Sequence, residues 1–238
     1  MHKAPIIAID GPAGSGKSTA AKNLARALGF TFLDTGAMYR AVTWKALHDG
    51  LDLDDDQALV DLTQNVRLRL VPRDGTTRVF VDDVEVTDQI RTEEVSRQVY
   101  HVAANPRCRK RIVQLQREFA ADGGVVAEGR DIGTVVFPDA ELKIFLEADP
   151  RERARRRCLQ LAQAGERPNL DDVLRDIELR DRRDAEREAS PLRKAPDAVV
   201  VDTSNNSIER TLEQLVALVR QRFPQLGKTA AGSGDAGR

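Results

Sequence analysis

Gly11-Pro12-Ala13-Gly14-Ser15-Gly16-Lys17-Ser18-Thr19 is the stretch on which the fold turns. Its first eight residues match G-x-x-x-x-G-K-[ST] in full, and its flanks are the ones the motif requires. Before it, Ile6-Ile7-Ala8-Ile9 is a short apolar run that reads as a buried parallel strand. After it, Ser18 to Leu28 is rich in Ala, Leu, Lys and Arg, reads as a helix, and stops at Gly29. Glycines let successive backbone N–H groups turn inward around a phosphate, and the helix N-terminus adds partial positive charge. In such a loop Lys17 reaches the β- and γ-phosphates and the Ser18 hydroxyl ligates Mg²⁺. Gly11 to Thr19 is therefore expected to bind ATP, with Lys17 facing solvent while the loop is empty.

Outward from the loop, strands and helices alternate. Thr31-Phe32-Leu33 reads as a second strand and Ala37 to His48 as a helix. Val66 to Val71 and Arg78 to Val86 are β-rich runs joined by the turn residues Pro72-Arg73-Asp74-Gly75, a hairpin with room for a third strand after Asp82-Asp83. Helical stretches near Thr92 to Tyr100 and Pro106 to Ala121 lead back to apolar strands at Gly124 to Ala127, Leu142 to Leu146 and Ala198 to Val201. The expected fold is α/β: a P-loop domain with a five-stranded parallel sheet flanked by helices and a small antiparallel sheet inserted into it. One domain over 1–226 is expected, followed by a disordered Gly/Ala/Ser/Lys tail over 227–238.

Composition narrows the classes of function. Hydrophobic residues are 41% of the 238, enough for a substantial core, yet no stretch reaches the roughly 20 apolar residues of a membrane span. Met1 to Pro5 carries no secretory h-region, and Cys108 and Cys158 lack metal-ligand spacing, so a reduced, cytoplasmic protein is expected. Charged residues are 32%, but the net charge of −1 gives no global attraction to a nucleic-acid polymer. A P-loop alone leaves GTPases, DNA-dependent ATPases and small-molecule kinases open. There is no Asn-Lys-x-Asp segment to read guanine, and the chain is short for a helicase core.

A kinase needs arginines converging on two phosphate-bearing ligands. Asp34-Thr35-Gly36-Ala37-Met38-Tyr39-Arg40 follows the second strand, and strand carboxyl ends face the ligand crevice in such sheets, which places Thr35 and Arg40 near it. The competing reading is an ordinary N-cap and a surface arginine. Val125-Val126-Ala127-Glu128-Gly129-Arg130-Asp131 ends another strand. Glu128 occupies the acidic position that holds Mg²⁺ water, and Arg130 and Asp131 project into the crevice or form a simple ion pair. Asp149-Pro150 opens a helix on which Arg153, Arg156 and Arg157 share a face, and Gly165-Glu166-Arg167-Pro168 breaks it. On the next helix Arg180, Asp184 and Arg187 fall on one face; the alternative is a solvated, salt-bridged surface. Two arginine-rich helices around a short break describe a lid that closes on phosphates.

The segments IDGPAGSGKST, LDTGAMYRA, NPRCR, EGRDIGTVVFPDA, RARRR and LRDRRDAERE together resemble the bacterial cytidylate kinase family over Ile6 to Phe223. The resemblance implies an acceptor-binding insert over about 35–100, a lid over about 153–188, and a monomeric enzyme acting on CMP and dCMP with ATP and Mg²⁺. It implies that Arg109 and Asp131 read cytosine with Thr35 nearby, and that Arg180 and Asp184 hold the ribose. It places Arg40, Arg130 and Arg187 on the acceptor phosphate, Arg153 and Arg157 on the donor phosphates, and Ser18 and Glu128 at the metal. Lys17, Arg130, Arg157 and Arg187 would stabilise the transferring group. Tyr100 departs from the family, some members of which carry a serine there that contacts the base amine. Rival readings are a kinase for UMP or shikimate, and an RNA-binding protein using the basic helices.

Overall fold

The computed structural model describes residues 3–73, 76–163 and 165–227. Strand β1 (Ala4–Asp10) buries both faces: Ile7 and Ile9 enter one core and Ala8 the other. Burial on two sides is why the run is apolar without alternation. It occupies the middle of a parallel sheet in the order β2 (Thr31–Asp34), β6 (Gly123–Gly129), β1, β7 (Leu142–Glu147), β8 (Val199–Asp202). The five strands were all foreseen from the sequence. Because the order reverses at β1, the crevice opens at the carboxyl ends of β1 and its neighbours.

Helices α1 (Lys17–Leu28) and α8 (Ile208–Arg222) cover one face of the sheet through Leu24, Ile144, Leu146, Leu215 and Val219. Helices α2 (Thr35–His48) and α5 (Pro106–Phe119) cover the other through Leu33, Met38, Val42 and Ile112. Helix α1 ends at Gly29 in the left-handed region (φ 67°), where its N–H closes on Ala25 and Arg26 carbonyls. Helix α2 begins at Thr35, two residues earlier than expected, because Asp34 Oδ1 accepts the Ala37 N–H at 2.9 Å and caps it.

The insert holds an element the sequence reading lacked, helix α3 (Asp56–Asn65). Its signals were an N-cap, Asp55, which accepts from Gln57 and Ala58, and the buried positions Leu59, Val60 and Thr63. The small sheet has strands β3 (Leu68–Arg73), β4 (Thr76–Val81) and β5 (Val84–Glu85), antiparallel throughout. The third strand is present, and Asp82 and Asp83 turn the chain into it with φ of 47° and 72°. Asp74 and Gly75 of the first turn lie outside the described residues, as does the expected tail from 228 onward. Helix α4 (Glu93–Ala104), capped by Thr92, returns the chain to α5.

Helices α6 (Pro150–Gln163) and α7 (Leu170–Glu186) form the two-helix unit expected around the glycine-proline break. Asp149 Oδ1 accepts from Arg151 and Glu152, and Asn169 Oδ1 from Asp171 and Asp172, so both starts are capped. A small apolar core of Ala154, Val173 and Ile177, with Cys158, Leu161, Leu170 and Leu174 packed against it, joins the pair, together with the Arg153–Asp181 ion pair. That core is far smaller than the two beneath the sheet, so the unit is the less strongly held part of the fold.

Leu24 is fully buried between α1 and the sheet, with no solvent to fill a void there. Leu24→Ala is expected to lower unfolding free energy by about 2–5 kcal/mol. Denaturant melts with unchanged slope would measure it.

Candidate active site

The phosphate loop binds itself tightly. Gly11 adopts φ 149°, and a Cβ there would fall 2.2 Å from the Leu146 carbonyl oxygen, so only glycine lets the loop pass. Lys17 does not face solvent as expected: it is 5% exposed, and its Nζ donates to the Pro12 carbonyl at 2.7 Å. Burial, then repulsion from Arg130, pushes its ammonium down to about 7, with Glu128 opposing. The reason for the difference is local. The loop's own carbonyl supplies the hydrogen bond that a phosphate would otherwise offer, so the side chain folds inward.

Ser18 Oγ donates to Glu128 Oε1 at 2.7 Å, which brings the two candidate metal-holding residues together across α1 and β6. Burial, then the neighbouring Asp34 charge, raises the Glu128 carboxyl above its ordinary range. A hydroxyl and an undercompensated carboxylate form an all-oxygen donor set suited to Mg²⁺, which completes its shell with phosphate and water. Among the described residues no group of three or more His, Cys, Asp or Glu side chains is arranged to hold a metal alone.

The carboxyl ends of β2 and β6 carry further candidates. Thr35 Oγ1 donates to the Glu128 carbonyl at 2.7 Å, which ties α2 to β6 and engages the hydroxyl with protein. Asp34 Oδ2 accepts from Arg40 at 2.8 Å and Arg91 at 3.3 Å. Burial would raise the Asp34 carboxyl, but the two guanidiniums win and hold it low. Arg91 was not foreseen; it follows the insert sheet with no motif to mark it. Arg40 Nε is buried without a partner, a free donor at the crevice edge.

Arg109 and Asp131 form a buried ion pair, with Arg109 also donating to the Ala103 carbonyl at 3.1 Å. The Arg109 guanidinium stacks over the Tyr39 ring at 5.2 Å. Guanidinium and carboxylate thus present a donor and an acceptor side by side, held by α5 and the segment after β6.

Helices α6 and α7 complete the cluster. Arg130 Nε donates to Asp184 Oδ2 at 2.7 Å, so the α7 face does turn inward at Asp184. Burial disfavours both charges, yet Asp184 raises the Arg130 guanidinium's pKa and Arg130 lowers that of the Asp184 carboxyl. Arg180 leaves much of its side chain in solvent, but desolvation of its head and repulsion from Arg130 draw it down to about 10. Arg187 lies one residue past the end of α7, not on its face, and donates to the Ala189 carbonyl at 2.7 Å and to that of Ser190. The extended backbone at that position breaks the helical spacing the sequence implied.

Arg153, Arg156 and Arg157 separate. Arg153 is buried and binds the Ala148 and Ala13 carbonyls at 3.1 and 3.0 Å and Asp181 at 2.6 Å. It braces the phosphate loop from α6. Arg156 is held by Glu152 and Thr203, at 2.9 and 3.2 Å. Arg157 is exposed, and its charge adds to the repulsion felt by Arg180. Tyr100 is 51% exposed, and Arg183 of α7 lies 5.7 Å over its ring.

Comparison with known proteins fits this geometry. Residues 7–221 match the family model described as Cytidylate kinase. The chain is 47% identical over 221 residues to a cytidylate kinase of Exiguobacterium sp., covering 93% of this chain and 99% of that one. It is 48% identical over 222 residues to a cytidylate kinase of Desulfitobacterium hafniense, covering 93% and 95%. It is 50% identical over 228 residues to a bifunctional pantoate ligase/cytidylate kinase of Synechococcus sp., covering 94% of this chain but 42% of that protein. The chain thus spans less than half the length of such bifunctional relatives. An uncharacterized protein from Eubacterium ventriosum superposes with a TM-score of 0.51 at 12% identity over 90% of this chain and 98% of that one, a likeness of fold alone. With a phosphate loop, an arginine-rich crevice and matches of this extent, the chain belongs to the cytidylate kinase family.

Proposed function

We propose that this chain transfers the γ-phosphoryl group of ATP to CMP and dCMP, giving CDP or dCDP and ADP. The observation that carries the reading is the buried Arg109–Asp131 pair beside Arg130, at the strand ends that adjoin the phosphate loop. Cytosine presents acceptors at O2 and N3 and a donor amine at N4. Arg109 donates to the first two and Asp131 accepts from the third. Uracil reverses the pattern at positions 3 and 4, so it meets like groups at both.

Arg180 and Asp184 hold the ribose hydroxyls, with Thr35 near the base. Arg40, Arg130 and Arg187 grip the acceptor phosphate, for which Arg187 must leave the Ala189 and Ser190 carbonyls. Lys17 turns from the Pro12 carbonyl to the donor phosphates, and Arg157 meets them from the lid, with Arg153 holding the loop beneath. Residues 35–100 then form the acceptor-binding insert and 153–188 the lid.

A phosphate oxygen of CMP attacks the γ-phosphorus in line, and the bond to the β–γ bridging oxygen breaks as ADP departs. Negative charge spreads over the transferring oxygens, and Lys17, Arg130, Arg187 and Arg157 meet it once both nucleotides are seated. Ser18 and Glu128 would hold Mg²⁺, which neutralises charge on the donor phosphates when bound. Closure of the lid excludes water that would otherwise take the phosphoryl group.

A panel of CMP, dCMP, UMP and AMP with ADP formation as readout tests the reading, and CMP and dCMP should be the preferred acceptors. Turnover of UMP or AMP ahead of CMP would overturn it. Lys17→Met should abolish transfer while the melting temperature holds or rises, since a buried, partly discharged ammonium is removed. Activity near that of the parent would remove Lys17 from the mechanism. Asp131→Asn should lower the CMP-to-UMP ratio of kcat/KM by about tenfold or more, because an amide can donate to the uracil carbonyl. An unchanged ratio would show that Asp131 does not read the base.

A further inference from the structure

Asp10 ends β1 one residue before the phosphate loop, and its carboxylate is almost completely buried. Oδ1 accepts the Ile132 N–H at 2.8 Å and Oδ2 accepts the Gly133 N–H at 2.8 Å. Among the described residues no cation pairs with it at salt-bridge distance; Lys143, which packs against Gly133, gives its ammonium to Asp197 at 2.9 Å. Burial, only partly offset by the two amides, raises the Asp10 carboxyl to about 6. A buried carboxylate without a cation is costly, and an apolar residue at the end of an otherwise apolar strand would avoid that cost.

The position of the two amides accounts for its presence. They open the short wide helical turn Ile132–Val136 immediately after Arg130 and Asp131. The β1–β6 backbone ladder ends with Asp10 opposite Gly129, and beyond that pair the strands no longer bond to each other. The Asp10 side chain extends the tie past the point where the ladder stops. We propose that Asp10 is a positioning residue that clamps the Arg130–Asp131 segment to the strand feeding the phosphate loop, and so sets the acceptor against the donor. The inference rests on the proposed CMP acceptor site.

The fit is close enough to test from both sides. Asp10→Asn keeps one acceptor oxygen but turns an NH₂ group toward the second amide, so one N–H loses its partner and the segment shifts. A Cβ added at Gly133 would lie 3.4 Å from Asp10 Oδ2 and 3.1 Å from Lys143 Cδ, so Gly133→Ala presses on the same contact with the carboxylate intact. CMP and MgADP binding to each full-length variant are measured separately by calorimetry, alongside kcat/KM for CMP and UMP. For Asp10→Asn, CMP affinity should fall about tenfold or more and the CMP-to-UMP ratio should drop with it, while MgADP affinity stays within about threefold. Gly133→Ala should move the same quantities in the same direction by less, and decides the matter if Asp10→Asn does not fold. Equal losses for CMP and MgADP, or no loss for CMP, would overturn the proposal. Amide hydrogen exchange in the ligand-free protein separates the clamp from the choice of acceptor. Acceleration confined to the segment from Arg130 to Val136 supports the clamp even if the parent binds no CMP, whereas a uniform acceleration or none overturns it.

Discussion

Arg130 meets Asp184 at 2.7 Å where the sheet's carboxyl edge faces α7, and the arrangement of the crevice follows from that pair. Arg130 also presses on Lys17 and Arg180, lowering both. The crevice crowds cations, and like charges so placed are unfavourable in a partly desolvated space. Each carboxylate in the cluster relieves one part of this strain. Asp184 steadies Arg130, Asp131 steadies Arg109, and Asp34 is shared by Arg40 and Arg91.

The same pairs preset the geometry. An arginine held by a buried carboxylate has already lost much of its rotamer freedom, so less entropy remains to be lost when a nucleotide binds. The carboxylates also explain how an arginine-rich crevice sits in a chain whose net charge is −1. Asp34, Asp131 and Asp184 each offset arginine charge inside the crevice itself. That arrangement favours small phosphorylated ligands over a polymer, which would need an extended basic face.

Much of this could be read from residues alone, and the exceptions have physical causes. The phosphate loop, the strand ends and the capped lid helices are local features: spacing, a cap or a glycine determines each within a few positions. Asp10 escaped notice because its partners, Ile132 and Gly133, are backbone groups more than a hundred residues away, and an acid next to a glycine loop reads as part of the motif. Arg91 has no motif, and only the fold of the insert brings it to Asp34. The inward turn of Lys17 depends on a carbonyl in its own loop, which no pattern of side chains reports. The spacing of Arg180, Asp184 and Arg187 assumed a helix that ends one residue too soon. Helix α3 was legible through Asp55 and its apolar face, although its charged run of aspartates resembles a loop.

The differing strengths of the cores set the order in which the site can assemble. The sheet and its two helical layers rest on large apolar clusters, so the phosphate loop, Glu128 and the Arg109–Asp131 pair are carried by the most stable part of the molecule. Helices α6 and α7 rest on a small apolar cluster around Ala154, Val173 and Ile177 and on polar ties: Arg153 to the phosphate loop and Asp181, and Asp184 to Arg130. Ties of that kind exchange partners at little net cost when a phosphate competes for the same guanidinium, whereas buried apolar contacts do not. Motion is therefore expected where the polar ties are, at α6 and α7, and rigidity at the Arg109–Asp131 pair.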